Sequence, residues 1–332
     1  MSPTPGKRSK PTIDIVIPVY NEAGIVEHTH ARLCAVIEDL PYSFCICYVN
    51  DGSTDGTTQS LDALTAQDER VFIIELSRNF GHQAALTAGL EHSHSGIVIT
   101  MDGDGQHPPE MIPQMIDLIQ QGYDVVQTQR LDEEQRFSLK KWTSATFYRL
   151  INVISGTHIE PGTADFRAMS RRAINALLFM PEYHRFLRGM VTWIGFQTVI
   201  LPYIPGKRSG GRSKYSTRKM VKLAMDALFS FSLVPLYIGV SLGGVMLLLA
   251  LLEMVYVLSF WVTGRTSSLA PGWSSLMFVI LIVGGMLMVL LGFVGIYIGY
   301  IFQEVKRRPV YLVMRTSKGG KDGQEKNIHD EH

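Results

Sequence analysis

Cysteine is scarce in this sequence, which has only Cys34, Cys45 and Cys47 among its 332 residues. A framework of several disulfides and a four-cysteine zinc site are therefore excluded. Cys45 and Cys47 flank one residue of a predicted strand, a spacing that does not favour a bond between them. The same C-x-C spacing, without further cysteine or histidine partners, is a weak zinc signal. We expect reduced, buried thiols.

The sequence does not predict a signal peptide at its N-terminus. Residues 1–11 are rich in proline and basic side chains, and no apolar stretch follows them. We expect this segment to be disordered and the front of the chain to stay in the cytoplasm. With 31 basic and 30 acidic side chains, the net charge is only +1. No nucleic-acid partner is expected.

Long apolar runs are absent before about residue 230, but two follow, at 233–262 and 276–302. Each run is longer than the roughly 20 residues needed to cross a bilayer, so two transmembrane helices are predicted within residues 233–305. Their glycines provide faces for close helix packing, which favours a homo-oligomer.

The distribution of basic residues predicts the orientation of these spans. Lysine and arginine flank the outer ends of the two apolar runs, whereas Arg265 is the one basic residue of the connecting loop at 263–274. Both termini are therefore expected on the cytoplasmic side and the loop outside. Residues 216–232 are predicted as a juxtamembrane amphipathic helix, and residues 306–332 as a basic, polar cytoplasmic tail.

Residues 12–215 alternate between short apolar runs, polar turns and stretches of helical length, at least as far as residue 128. Such alternation predicts an α/β domain built on a doubly wound, mostly parallel sheet. The predicted strands are 13–19, 44–49, 71–76, 97–101 and 124–128, and the predicted helices are 22–40, 55–67, 82–92 and 109–121.

Polar residues follow four of these strands, at the edge where such sheets bind ligands. They are Pro18 to Glu22, Asn50 to Gly56, Ser77 to Gly81, and Asp102 to Asp104. Any single group could be a helix cap or a turn. Together they favour a ligand site at one rim.

The acidic pair Asp102 and Asp104 could face one cation, because residues i and i+2 of an extended segment project to the same side. Gly103 and Gly105 allow close backbone approach, and Gln106 supplies a third oxygen. Such ligands suit Mg²⁺ or Mn²⁺ with substrate phosphate completing the shell. An acidic, solvated turn is the alternative.

Three further segments carry predictions. The glycine- and serine-rich loop at 206–216 holds many cations and suits either a phosphate or anionic lipid headgroups. Residues 133–155 form an amphipathic segment that is either an interfacial helix or an ordinary surface helix. Residues 162–167 look like a loop that enters a short strand, after which Ser170 caps a helix ending near Met180.

Five motifs in order resemble a GT-A, family 2 glycosyltransferase of the polyprenyl-phosphate type, over nearly the whole chain. The kinship is with bacterial undecaprenyl-phosphate glucosyltransferases of the GtrB kind and, more distantly, dolichol-phosphate mannose synthase. The motifs are Pro18-Val19-Tyr20-Asn21-Glu22, Asn50 to Asp55, Arg78-Asn79-Phe80-Gly81, Asp102 to Glu110, and Arg208-x-x-Gly211-x-Ser213-Lys214.

The resemblance implies a role for each matching residue. A nucleotide would be bound by Pro18, Tyr20, Asn21, Glu22, Asp51 and Asp102; a metal by Asp102, Asp104 and Gln106; and the acceptor phosphate by Arg208, Ser213 and Lys214. The implied catalytic residues are Asp104, Asp165, Arg208 and Lys214, with Asp165 on the acceptor side. Gly103 replaces the alanine common in the family, which should loosen the loop.

The resemblance also implies the reaction: transfer of a hexose, best glucose from UDP-glucose, to undecaprenyl phosphate, with inversion and with Mg²⁺ or Mn²⁺. The protein would be a multi-pass protein of the inner membrane. Alternatives are transfer of another sugar such as mannose, extension of a polysaccharide, and a non-catalytic membrane adaptor. Which sugar, base, metal and subunit number apply is left open by the residues.

Overall fold

The computed structural model describes residues 12–131, 162–183, 185–204, 234–264 and 272–319. The chain divides into two compact units. The sheet unit comprises the chain up to Ser216 together with the segment from Pro309 onward, and the helical unit comprises Thr217–Arg308.

The sheet unit is built on one eight-stranded sheet with the order β7-β5-β6-β4-β1-β2-β3-β8. Its strands are β1 (Thr12–Val19), β2 (Ser43–Asn50), β3 (Val71–Leu76), β4 (Ile97–Thr100), β5 (Val125–Arg130), β6 (Thr163–Ser170), β7 (Thr198–Tyr203) and β8 (Val313–Lys318). The four central strands β4, β1, β2 and β3 run parallel, as do β5 and β7. The mostly parallel α/β sheet predicted from the sequence is confirmed.

Helices cover the sheet. They are α1 (Val26–Ile37), α2 (Thr57–Gln67), α3 (His82–Glu91), α4 (Ile112–Gln120), α5 (Arg171–Leu178) and α6 (Leu187–Trp193), and a 3₁₀ turn at Pro109–Met111 leads into α4. β1 is buried along almost its whole length, which explains its nearly continuous apolar run. The core joins Ile15 and Ile17 of β1 to Leu33 of α1 and Tyr48 of β2.

The five predicted strands and four predicted helices of the front half are all present, with shifted ends. The largest shift is in α1, which begins at Val26 rather than at residue 22. Asn21 has a φ of 54°, and the amide of Ile25 bonds the carbonyl of Glu22 in a turn. The left-handed residue and the turn that follows delay the helix.

The segment around Asp165 differs from its prediction as a loop and a short strand. β6 is eight residues long and lies antiparallel between β4 and β5. Asp165 is therefore an interior strand residue. Ala164, Phe166 and Ala168 alternate with Asp165 and Arg167 along this strand, but both of these charged side chains are buried as well. Ser170 caps α5 as expected, since its hydroxyl accepts a bond from the amide of Ala173 (3.2 Å).

The segment after the second apolar run is not only a polar tail, which corrects the expectation for 306–332. β8 extends the sheet by pairing antiparallel with β3. Arg315 on β8 bonds Glu75 and also Asp62, 2.8 Å away, and the amide of Ser77 bonds the carbonyl of Leu312 (2.9 Å). Charged residues from distant parts of the chain stabilise this short polar strand. Its own residues therefore did not predict a strand at this position.

The helical unit contains two long helices, α7 (Val234–Val262, 29 residues) and α8 (Trp273–Lys306, 34 residues). Within α8, Ile282–Lys306 is long and apolar enough to cross a membrane. The two helices pack closely at Gly239, where an added Cβ would lie 2.0 Å from Leu290 Cδ2. A larger residue at this position would require the Leu290 side chain to move.

Several predictions fall outside the described residues. These are the disordered segment 1–11, the amphipathic segment 133–155, the juxtamembrane helix 216–232, most of the loop between the apolar helices, and the cationic residues Arg208, Ser213 and Lys214.

Candidate active site

The carboxyl ends of β1, β2, β3 and β4 lie side by side in the sheet, and the four polar segments follow them at one rim. Hydrogen bonds connect the first two segments, those that follow β1 and β2. The backbone amide of Asn21 donates to Ser53 Oγ (3.0 Å), and its side-chain oxygen Oδ1 accepts from the backbone amide of Thr54 (2.8 Å). The amide of Glu22 bonds Thr57 Oγ1 (2.9 Å). These bonds satisfy the backbone of a turn that no strand or helix ladder pairs.

Asp51 joins the second segment to the third. Its carboxylate is 3% exposed and accepts from the amides of Phe80 (2.7 Å) and Gly81 (2.9 Å). Burial raises the pKa of Asp51, although these two backbone bonds oppose the shift. A carboxylate has about four lone-pair sites, so one more donor could still reach it. Asp51 therefore fixes the loop that starts α3.

Gly52 allows the second and third segments to touch. Its φ is +64°, and an added Cβ would lie 2.4 Å from the carbonyl carbon of Arg78 and 2.6 Å from the nitrogen of Asn79. Both neighbours are backbone atoms, which cannot rotate away. Arg78 in turn stacks its guanidinium 4.1 Å above the ring of Phe80.

A Gly52→Ala variant is expected to be destabilised by about 1–3 kcal/mol and to bind nucleotide more weakly, because the methyl meets backbone in a left-handed conformation. Thermal melting and nucleotide titration measure the two effects. Gly24→Ala is the matched control, since an added Cβ there meets nothing within 4 Å. Equal behaviour of both variants would contradict the close contact.

The acidic pair lies just beyond β4. The amide of Asp102 donates to His107 Nδ1 (3.0 Å), so Nε2 carries the ring proton, and it lies 3.6 Å from Asp102 Oδ2. The ring of His107 stacks on Phe166 with centroids 5.1 Å apart. The amide of Gln106 donates to Asp104 Oδ1 (3.1 Å). The loop is thus held in place by bonds to its own backbone and by a packed histidine.

A divalent cation fits this arrangement. Asp102 Oδ1 is buried, and no residue that the structure describes gives it a hydrogen bond. Its charged neighbour is His82 Nε2, 3.4 Å away. Gln106 Oε1 accepts from Arg130 (3.1 Å) and retains a second lone pair. A buried carboxylate oxygen without a donor is costly unless a cation completes its surroundings.

Gly103 lies close to the end of β1. An added Cβ would lie 2.6 Å from Val19 Cγ1 and 3.2 Å from the carbonyl oxygen of Pro18, so an alanine at this position would require its neighbours to shift. The looser loop expected from this glycine stays a prediction. Pro18 takes part in the rim through its backbone, at the base of the acidic pair.

Asp165 is the most strongly paired carboxylate of the site. It is 2% exposed, and it accepts from Arg167 (2.5 Å) and from two nitrogens of Arg188 (3.1 and 2.8 Å). His82 Nε2 lies 3.3 Å from its second oxygen and so stands between Asp165 and Asp102. The network connects β6, α6 and the first residue of α3 to the acidic pair.

The charges of this network support one another. Burial alone would raise the pKa of Asp165, but Arg188, the bond from His82 and Arg167 hold that pKa well below its usual range. Burial would lower the pKa of His82, but Asp102 and Asp165 raise it to about 9. At neutral pH Asp165 is therefore ionised and His82 is protonated.

Known proteins resemble this chain over most of its length. An uncharacterized glycosyltransferase of Bacillus subtilis, YkcC, is 38% identical over 302 residues, which cover 91% of this chain and 93% of that protein. The family described as Glycosyl transferase family 2 matches residues 14–178. The chain belongs to this family. Its fold is accordingly the GT-A fold, and the protein is a glycosyltransferase.

Two further relatives of this glycosyltransferase are named by their acceptor. The SfII prophage-derived bactoprenol glucosyl transferase of Shigella flexneri is 36% identical over 92% of this chain and 99% of that protein. The prophage bactoprenol glucosyl transferase homolog of Escherichia coli K12 is 35% identical over the same shares.

The structure brings together the described residues that the motifs single out. Asn21, Glu22 and Asp51 lie in interlocked loops, and Tyr20 beside them is 36% exposed. Asp102, Asp104 and Gln106 share the next loop, and Asp165 reaches Asp102 through His82. The roles assigned to these residues remain predictions. Arg208, Ser213 and Lys214 lie outside the described residues.

Other residues of the site were given no role by the sequence analysis. His107 lies within the motif from Asp102 to Glu110, and His82 directly follows the motif that ends at Gly81. The sequence alone could therefore have indicated both histidines. Arg188 is 23 positions from Asp165 and has no motif of its own. Arg130 is 24 positions from Gln106. No local signal could have found these arginines, because only the fold brings them to the rim.

Proposed function

We propose that this glycosyltransferase transfers glucose from UDP-glucose to the phosphate of undecaprenyl phosphate at the cytoplasmic face of the inner membrane, with inversion. The observation that carries the proposal is the likeness to bactoprenol glucosyl transferases across about nine-tenths of the chain, apolar helices included. An enzyme with a soluble acceptor would have no chemical need for those helices.

The donor side of the site is the rim of β1, β2 and β4. Tyr20, Asn21, Glu22 and Asp51 would contact the base and ribose. Asp102, Asp104 and Gln106 would hold Mg²⁺ or Mn²⁺, which stabilises the charge that develops on the leaving diphosphate. Asp102 is prepared for that role by its buried oxygen, and Asp104 is oriented by the amide of Gln106.

The acceptor is a phosphate monoester. Its second pKa is near 6, so it is largely dianionic at neutral pH and needs no general base. Asp165 fits this demand, because three cationic partners keep it ionised and occupied. We propose that it orients those partners. Arg208, Ser213 and Lys214 would hold the acceptor phosphate in line with the anomeric carbon, and direct displacement would invert that centre.

The connectivity of the chain supports a two-span topology. The helical unit follows the sheet unit, and after α8 the chain returns to the same sheet as β8. A sheet cannot lie on both sides of a bilayer, so a helical unit that enters the membrane would enter and leave it on the same side. We therefore propose that α7 and α8 both span the membrane, that both termini are cytoplasmic, and that the small-residue faces associate in a homo-oligomer.

The test is incubation of the purified full-length protein with Mg²⁺, labelled UDP-glucose and undecaprenyl phosphate. We expect label in the lipid phase, and none when undecaprenol without a phosphate replaces the acceptor. Parallel reactions with other labelled nucleotide sugars, mannose included, test the donor. Absence of lipid-linked label with every donor would contradict the proposal.

Two other functions have distinct outcomes in the same experiment. An enzyme that extends a polysaccharide would label an oligosaccharide acceptor and not the lipid phosphate. A non-catalytic adaptor would bind nucleotide without transferring label. The grouping of Asp102, Asp104 and Gln106 in one loop favours an enzyme over the adaptor, because a site that binds no metal has no need for all three oxygen ligands.

A further inference from the structure

A second cluster of ligand-type side chains lies away from the rim, between α1, the end of α2 and the start of β3. It consists of His30, Cys34 and Asp68, which we call the HCD cluster. His30 and Cys34 are four residues apart on α1 and so share one face of the helix. Asp68 follows the last residue of α2. The side chains of His30 and Asp68 are only 10% and 13% exposed.

The distances within the HCD cluster match a tetrahedral metal site. His30 Nε2 lies 3.4 Å from Cys34 Sγ and 3.4 Å from Asp68 Oδ2, and Cys34 Sγ lies 3.6 Å from Asp68 Oδ2. Ligands about 2.0–2.3 Å from a tetrahedral zinc ion are about 3.3–3.7 Å from one another. All three separations fall in that interval, so no ligand atom has to move far.

The surroundings supply the supporting contacts that metal ligands usually have. Tyr48 Oη lies 3.1 Å from His30 Nδ1, which leaves Nε2 directed at the cluster. Arg70 donates to Asp68 Oδ1 from its backbone amide (2.8 Å) and Nε (2.9 Å), and to Asp68 Oδ2 from Nε (3.0 Å) and a terminal guanidinium nitrogen (2.7 Å). The same terminal nitrogen donates to Cys34 Sγ (3.2 Å). Partners of this kind orient the imidazole and the carboxylate.

We propose that the HCD cluster binds a zinc-class divalent ion through His30 Nε2, Cys34 Sγ and Asp68 Oδ2, with water in the fourth position. The thiol and imidazole donors select this class over the hard Mg²⁺ or Mn²⁺ expected at the rim. Binding displaces the proton of Cys34 to solvent, and the two positive charges of the ion balance the thiolate and the carboxylate. The site would tie α1 to the end of α2 and stabilise the sheet unit.

The state without metal explains why Cys34 would not act as a redox thiol instead. Burial raises the pKa of the Cys34 thiol to about 11, and the positive charge of Arg70 opposes this rise only weakly. A thiol of that kind is a poor nucleophile at neutral pH.

The experiment uses the full-length protein, stripped of metal with a chelator and titrated with Co²⁺ as a spectroscopic probe for zinc. We expect a thiolate-to-cobalt charge-transfer band that saturates at one equivalent and is lost in Cys34→Ser. Cys45→Ser is the matched control and keeps the band, since Cys45 lies on β2 outside the cluster. Asp104→Ala also keeps it, which separates this site from the rim.

Two further measurements keep the outcome clear if Cys34→Ser folds poorly. His30→Gln is expected to weaken Co²⁺ binding at least tenfold, and Zn²⁺ is expected to raise the melting temperature of the wild type and Cys45→Ser. A wild-type titration without a charge-transfer band, or an unchanged band in Cys34→Ser, would overturn the proposal.

Discussion

Asp104→Ala is expected to lower the rate of sugar transfer on the order of 10³-fold, because a metal ion at a leaving diphosphate is worth several kcal/mol of transition-state stabilisation. The fold should be retained. The hydrogen bond described for the Asp104 side chain comes from the amide of Gln106 within its own loop. Among the described residues, removing this side chain leaves no distant hydrogen-bonding group unpaired.

The measurements are initial rates with saturating Mg²⁺ and the melting temperature of the same preparation. Asp117→Ala is the control, since Asp117 is exposed on α4, away from the rim. The control should keep the wild-type rate. A variant that transfers sugar at a rate near that of the wild type would show that the metal is held elsewhere. A variant that is inactive and also unfolded would show that Asp104 has a structural role.

Metal dependence of nucleotide binding provides a finer test of the same site. In Asp104→Ala the affinity for UDP should no longer rise when Mg²⁺ or Mn²⁺ is added, whereas the wild type should gain affinity from either ion. The reason is that the ion connects the carboxylate to the diphosphate and has little to hold once the carboxylate is gone. Titration calorimetry with and without metal measures the difference.

Asp165→Asn is expected to lower the free energy of unfolding by about 3–5 kcal/mol, because it leaves buried cations without their counter-charge. Arg167 is only 3% exposed, and Arg188 is bound to Asp165 through two nitrogens. The amide has nearly the shape of the carboxylate, so the loss is one of charge rather than of packing. The NH₂ group of the asparagine is a hydrogen-bond donor, so it cannot pair with the guanidinium donors that the second carboxylate oxygen accepts from in the wild type.

Denaturant or thermal unfolding of the detergent-solubilised protein measures this loss. Glu110→Gln is the matched control, because Glu110 also pairs with an arginine, Arg32, but at the surface. An exposed pair of this kind is worth at most about 1 kcal/mol. Similar small effects in both variants would contradict a charge-stabilised network at Asp165.

The pH dependence of the same contribution follows from the direction of the shift. The pKa of Asp165 is held well below its usual range in the folded protein. Its contribution to stability is therefore present above its unfolded pKa of about 3.9 and is lost as the pH falls toward the folded value. The stabilisation by Asp165 itself should thus be complete at neutral pH.

The sequence by itself determined the order of strands and helices in the front half, the rim motifs and the two apolar helices. These features depend on neighbouring residues. The apolar run of β1 reports burial on both faces, and Gly52 or Gly103 reports a backbone that must approach another closely. The acidic pair could be found because Asp102 and Asp104 are two positions apart along the chain, which corresponds to a short distance in space.

Only the tertiary structure decided the strands and contacts that join distant residues. β6 and β8 carry charged side chains that pair with partners far along the chain, such as Arg188 for Asp165 and Glu75 for Arg315. The HCD cluster likewise needs Asp68, 34 positions from Cys34. Charge pairing in the interior depends on which elements the fold places together, and a local pattern of residues carries no record of that placement.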